Sequence, residues 1–433
     1  MKRARSADDK GPTRFRAEVW DQMQFFFQEY NDHMLHAVVY LRGFLDRESI
    51  RKAVLLSMET LPLLGARFVL DRSQPYWEKM DPSQDGKVIS FVDCANPEGE
   101  IDRFITGKTD ELEGPQIMAR VIRSGSTDTL CIVMNHMVCD GAGFKEYLYL
   151  LAALYNQIEA GEAAPPGYRD KSRDSKQIYR HIGLLDRIKA FFLRSEYRGD
   201  HRVFPLSEER SGWAPFILRR TLSQDRFHGL KAFARQHDAT VNDVVFAAYF
   251  RALRETLDLK EGETLTVPCM VDLRRYLPGK KAEGFCNLTS NIICTIGPDI
   301  GSTFGETVIR VSAEMKALKG RYPGLAGLST LYTLFRFVPF ARLRRLMKER
   351  FRNPLIGITN IGVIDPERLV FGKTPVEDAF VTGSIKYPPY FQLALTSFND
   401  KVTFTIAEYG SEKDREAIGR FLDRLDKEFE AIP

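Results

Sequence analysis

Between residues 34 and 70 the hydrophobic period changes twice, and this limits the fold more than any other feature of the chain. MLHAVVYLRGFL (34–45) is rich in branched and aromatic residues and reads as a strand. Asp46 follows as an N-cap, with Glu48 in the first turn, where a carboxylate suits the helix dipole. Ile50, Ala53, Val54, Met58 and Leu61 then recur at helical spacing, and Pro62 stops the helix. GARFVL (65–70) is a short strand. Strand, helix and strand in that order begin a layered α/β unit.

The pattern continues along the chain. A strand is expected at 87–92, then a hairpin with arms at 116–123 and 129–135 around the turn SGSTD. The second arm runs into His136. After Gly141, the residues Phe144, Tyr147, Leu148, Leu151 and Tyr155 repeat at three-to-four spacing and predict a helix. GEAAPPGYRDKSRDSK (161–176) has the prolines, glycines and dense charge of a linker. The expected division is therefore a disordered lead at 1–14, an N-terminal lobe at 15–165, a linker or bridge at 166–205 and a C-terminal lobe at 206–433. In the second lobe helices are predicted at 225–237, 240–257, 304–319, 326–351 and 412–430. Strands are predicted at 264–271, 288–296, 354–361, 390–398 and 401–408.

Composition excludes several classes. Hydrophobic residues make up 44% and charged residues 28% of the 433, which supplies a large core and is not a disordered composition. Basic residues number 62 and acidic ones 58, and a net charge of +4 is too mild for a nucleic-acid partner. The 6 cysteines form no CxxC pair, and Cys131 and Cys294 sit in apolar runs, as buried thiols do. A reducing, cytoplasmic setting is expected. The charged start MKRARSADDKGPTR is unlike a signal peptide. The longest uncharged stretches, 284–298 and 322–335, have 15 and 14 residues, short of the roughly 20 a spanning helix needs.

The strongest chemical signal is NHMVCDG (135–141), at a strand end and before a helix. His136 leaves the strand where its side chain can enter a cavity. A histidine of near-neutral pKa suits a general base for a hydroxyl, amine or thiol. Asp140 lies four residues on, across a tight loop, and Gly141 permits a close approach that a Cβ would block. A lone histidine at a strand end is more often structural, but here a strand precedes it and a helix follows. No second His or Cys stands at ligand spacing, so no metal is expected. A serine-nucleophile elbow and nucleotide-binding glycine motifs are absent from the sequence, so no cofactor is expected.

The motif resembles the HxxxDG signature of the chloramphenicol acetyltransferase-like superfamily. That group includes condensation domains, plant BAHD acyltransferases, wax ester synthases and polyketide-associated acyltransferases. Further similarity runs in order over roughly 20–430: LRGFLDRESIRKAVLLSMETLPLLGARF, ATVNDVVFAAYFRAL (239–253), VPCMVDLRRYLP (267–278), EGFCNLTSN (283–291) and ITNIG (358–362). The resemblance implies an α/β fold of two such lobes, each a mixed sheet with flanking helices, with the active site in the cleft or tunnel between them. It implies that His136 deprotonates an acceptor attacking a thioester. It implies that Asp140 pairs structurally with Arg274, or failing that Arg275, and that Gly141 leaves room for the acyl-donor arm. Thr359 or Asn360 would supply an oxyanion donor, and Asn135 would join them at the oxyanion site or in the cleft. Two departures stand out. Asn135 takes the place of the first histidine that condensation domains usually carry, and the plant DFGWG signature is missing.

The expected function is acyl transfer from acyl-CoA or an acyl carrier protein to an alcohol or amine, in lipid or secondary metabolism. The transferred group is other than aminoacyl. The alternatives are a free-standing condensation protein acting on carrier-bound substrates, with any carrier arriving in trans, or an inactive binding protein of the same fold. FRFVPFARLRRLMKERFR (335–352) interleaves basic and apolar residues, either as a core helix with a solvated basic face or as a surface for lipid, CoA phosphates or an acidic carrier. In the second case the protein would lie peripheral to a membrane.

Overall fold

The computed structural model describes residues 13–80, 88–162, 172–192, 202–320, 322–351, 353–430 and 432. Most of the expected lead, 1–12, lies outside them, as do 163–171 and 193–201 of the expected linker.

The first half of the chain runs β1 (Arg14–Arg16), α1 (Val19–Phe26), β2 (Met34–Leu41), α2 (Arg47–Thr60), β3 (Ala66–Val69), β4 (Tyr76–Lys79), β5 (Ile89–Asp93), α3 (Pro97–Ile105), β6 (Ile117–Ser124), β7 (Thr127–Asn135) and α4 (Gly141–Glu159). Short helices α5 (Gln177–Arg180) and α6 (Leu184–Phe192) follow. The second half runs β8 (Ala214–Leu222), α7 (Gln224–Gln236), α8 (Val241–Thr256), β9 (Leu265–Asp272), β10 (Thr289–Ile296), α9 (Phe304–Lys319), α10 (Leu328–Phe337), α11 (Phe340–Arg350), β11 (Ile356–Val363), β12 (Val376–Thr382), β13 (Phe391–Phe398), β14 (Lys401–Gly410) and α12 (Glu412–Glu430).

Local chemistry explains the starts and stops. The Asp46 carboxylate accepts from the Ser49 amide at 2.8 Å and caps α2. Thr240 with Asp243 and Thr303 with Glu306 form capping boxes on α8 and α9. β2 ends at Leu41, short of the expected 45, and Gly43 turns the chain at φ 140°. The single helix expected at 326–351 is two, broken at Val338–Pro339, because proline lacks an amide and its ring clashes with the preceding turn.

Two large sheets carry the molecule. One has the order β12-β2-β7-β6-β5, the other β10-β9-β11-β13-β14-β8, and a small sheet of β1, β4 and β3 lies apart. Both large sheets are mixed: β5–β6 and β11–β13 are parallel, while β2–β7 and β13–β14 are antiparallel. β2 and β7 are buried on both faces, which explains their near-continuous apolar sequences. Each sheet has its own core, and a third cluster joins Val38, Val133 and Phe380 to Ile217 and Ala407 across the two.

The chain does not divide cleanly at 206. β12, an unexpected strand in the range assigned to the second lobe, pairs with β2, placing Ala379 opposite Val39. Phe335, Phe340 and Leu343 are buried in the first lobe's core, where Phe340 stacks on Phe26 with ring centroids 5.3 Å apart. Of the apolar residues in the basic stretch, Phe337 is exposed and Leu346 marginally so. Within the expected linker, Ile178 is fully buried. Among the described residues no helix is long and apolar enough to cross a membrane.

Candidate active site

β7 is central in its sheet, hydrogen-bonded to β2 on one side and β6 on the other, so its C-terminal end is fixed. Just beyond it the His136 amide donates to the His33 carbonyl at 2.7 Å. Asn287 crosses from the second half of the chain, and its Nδ2 donates to the carbonyls of His136 (3.0 Å) and Met137 (3.1 Å). Arg173 adds a third hold, donating to the Val138 carbonyl at 3.0 Å while paired with buried Asp21 at 2.7 Å. The loop is thus tied by its backbone.

His136 is half-buried and lines a cavity of about 280 Å³. Its Nδ1 is enclosed without a hydrogen-bond partner, so Nε2 is the nitrogen open to the cavity. Burial pulls the imidazole pKa below the usual 6.5, and the Lys386 ammonium pushes the same way. The histidine's own carbonyl and the Asp140 charge oppose this without reversing it. At neutral pH the ring is uncharged and able to accept a proton.

Asp140 is the N-cap of α4, with Oδ1 accepting from the Gly143 amide at 2.9 Å. Oδ2 accepts from Arg274 Nη1 (2.9 Å), the Leu288 amide (2.6 Å) and the Thr289 hydroxyl (2.9 Å). Burial alone would raise the Asp140 pKa, but the Arg274 charge and these hydrogen bonds outweigh it and hold the carboxyl below its ordinary value. Arg274 is also buried. Its Nη2 donates to the Cys286 carbonyl at 2.9 Å and its Nη1 to Asp272 at 3.1 Å. Arg275 points outward and is exposed. With its oxygens engaged in this way, Asp140 braces the loop and does not reach the imidazole.

Gly141 opens α4 where the loop meets β11; a Cβ there would sit 3.0 Å from Cγ2 of Ile361. Thr359 lines the cavity from β11, and its hydroxyl has no hydrogen-bond partner among the described residues. Asn360 also lines it, but its Oδ1 accepts from the Gly362 amide at 2.8 Å and its Nδ2 donates to Asn242 at 3.2 Å. It closes the bulge in β11. Asn135 does not belong to the cavity. It is fully buried, and its Oδ1 accepts from the Met137 amide at 2.9 Å to form the turn. Among the described residues, no group of three or more His, Cys, Asp or Glu is placed to hold a metal ion.

No protein-family model matches the chain. Over 202 residues it is 29% identical to the nonribosomal peptide synthetase kk1B of Curvularia clavata, covering 44% of this chain and 2% of that protein. Solved structures align almost end to end. The first condensation domain of the calcium-dependent antibiotic synthetase, in complex with substrate analogue 2a, matches at TM-score 0.70 and 18% identity over 96% of this chain and 97% of its own. The TRI3 trichothecene 15-O-acetyltransferase of Fusarium sporotrichioides matches at 0.68 and 14%, over 98% and 97%. Polyketide synthase associated protein 5 of Mycobacterium tuberculosis matches at 0.65 and 18%, over 95% and 97%.

The chain shares the fold of these solved structures. Here that fold gathers α1, the His136 loop, β9, β10, β11 and β13 around one cavity. Sequence reasoning singled out His136, Asp140, Gly141, Arg274, Thr359, Asn360 and Asn135; all but Arg274 and Asn135 line it, with Arg274 beneath. It missed Asn287, Arg173 and Lys386. Asn287 had a signal, being an amide in the otherwise apolar GFCNL. Lys386 had none, because the strand before it went unrecognised.

Proposed function

We propose that the chain is an acyltransferase, moving an acyl group from a thioester directly to a hydroxyl or amine. The observation that carries this reading is a neutral His136 imidazole open to the cavity, on a loop braced by the Asp140–Arg274 pair. Nε2 takes the proton of the acceptor as its oxygen or nitrogen attacks the thioester carbonyl. The tetrahedral intermediate then carries its negative charge on oxygen, for which the Thr359 hydroxyl, lining the same cavity from β11, is the candidate donor. As the intermediate collapses, the C–S bond breaks and the thiolate leaves with the proton from the imidazolium. No protein side chain is acylated.

The acetyltransferase and condensation-domain likenesses support acyl transfer in general. The synthetase relative favours a second reading, a condensation protein taking its donor from a carrier. Asn135 in place of the first histidine of the doubled pair counts mildly against peptide-bond formation. The test is thiol release from short and long acyl-CoA donors and from an acylated carrier protein, against a panel of alcohols and amines. Turnover with acyl-CoA supports the first reading, and turnover with the carrier alone supports the second. No release with any donor, from folded protein, overturns both and leaves a binding protein of the same fold.

A further inference from the structure

The charged residues lining the cavity, besides His136, are Asp140, Lys145, Asp272 and Lys386. Three are occupied. Asp140 and Asp272 both hold Arg274, and the Lys145 ammonium donates to the Val363 carbonyl at 3.0 Å. The Lys386 ammonium makes no hydrogen bond and no ion pair among the described residues, yet its backbone is firmly placed. Its amide donates to the Ala407 carbonyl and its carbonyl accepts from the Tyr409 amide, both at 2.9 Å. Neighbouring Ser384 donates to the Met34 carbonyl at 2.8 Å, and the Ile385 amide to Asp32 at 2.9 Å.

The acids nearby do not satisfy it. Asp32 Oδ1 is taken by the amides of Met34 and Ile385, and Oδ2 faces His36 at 3.8 Å. Glu408 is enclosed with both oxygens lacking donors, and burial pushes its carboxyl well above the ordinary range against the pull of the Lys386 charge. Burial lowers the Lys386 pKa to about 8, while Asp32 and Glu408 oppose this, so it remains an ammonium at pH 7. The Lys386 ammonium faces the same cavity as the base with no anion hydrogen-bonded to it, and an anionic group on a ligand would supply that charge-assisted bond.

We propose that Lys386 docks an anionic group, a carboxylate, carried by the substrate whose reacting atom lies at His136. The inference rests on the acyl-transfer reading and narrows its substrate. The cavity is about 280 Å³, so the carboxylate lies on the same small molecule or arm as the reacting group. Two sources fit that chemistry. The acceptor is an amino or hydroxy acid, or the acyl group is the half-thioester of a dicarboxylic acid.

The experiment separates them by calorimetric binding to the His136→Ala protein, alongside turnover by the wild type. The acceptor arm compares alanine, phenylalanine and lactate with their primary amides. The donor arm compares succinyl-CoA with butyryl-CoA. One arm is expected to show at least tenfold tighter binding of the carboxylate, and K386M is expected to abolish that preference while K386R keeps it. No preference in either arm, including no binding at all, overturns the proposal, as does a preference that survives in K386M. If K386M does not fold, the comparison of paired ligands on the His136→Ala protein decides alone. Carboxylate preference without wild-type turnover defeats only the acyl-transfer reading; turnover without carboxylate preference in either arm defeats only the role of Lys386.

Discussion

His136→Ala removes the one ring nitrogen open to the cavity while its backbone hydrogen bonds to His33 and Asn287 persist. General-base help is worth about 10²–10⁴ in rate, so kcat should fall by that order with little change in melting temperature. Steady-state kinetics and a thermal melt check this, and undiminished turnover would remove the histidine from the mechanism. The pH profile carries its own sign. Burial lowers the imidazole pKa, so the neutral base persists below the ordinary 6.5 and is lost only as pH falls through the lower value. The acidic limb of kcat/KM should therefore have its midpoint below 6.5. A midpoint above that value would mean the ring is more exposed, or its acidic neighbours more influential, than the loop geometry allows. Thr359→Ala tests the oxyanion role separately. Loss of one such donor costs about 10²–10³ in kcat, whereas a merely structural threonine would move stability and leave kcat alone.

The element that supports this chemistry is the unit of β7, its loop and α4, and the Asp140–Arg274 pair joins it to the second half of the chain. Asp140→Ala deletes a helix cap and leaves Arg274 buried beside half-exposed Asp272 alone. Breaking a buried pair from one side costs about 3–5 kcal/mol. Urea melts should show a loss of that order, and the double variant with Arg274→Met should lose less than the sum of the singles. Additive losses would mean the two side chains are not coupled. Much of this unit was readable in advance, because strand, loop and helix are contiguous and each carries its own periodicity and cap. Gly141 was legible as a point of close approach, but Ile361 opposite it was not, since nothing in the sequence says which strand crosses there. Asn135 was misread for a related reason. A polar residue beside a catalytic-looking histidine suggests a cleft, whereas its carbonyl-like oxygen was needed to satisfy the Met137 amide.

At the scale of the whole molecule, local patterns stop sufficing. A linker-like composition at 161–176 suggested two consecutive lobes, but periodicity carries no information about which sheet a later strand joins. β12 returns to the first sheet, and α10 and α11 return to the first core. The lobes are therefore stitched together by chain that comes late in the sequence. Residues 1–205 alone would keep β7 but lack β12, the strand that pairs with the other edge of β2. They would also expose Phe25 and Phe26, which Phe340 covers with ring centroids 6.0 and 5.3 Å away. An unpaired edge and an uncovered aromatic patch both favour aggregation over folding. That fragment should be insoluble or lack a cooperative melt, while the full chain should unfold in one calorimetric transition whose van't Hoff and calorimetric enthalpies agree. Two resolved transitions, or a stable fragment with a sharp melt, would show that β12, α10 and α11 are dispensable to the first lobe and that the lobes are energetically separate.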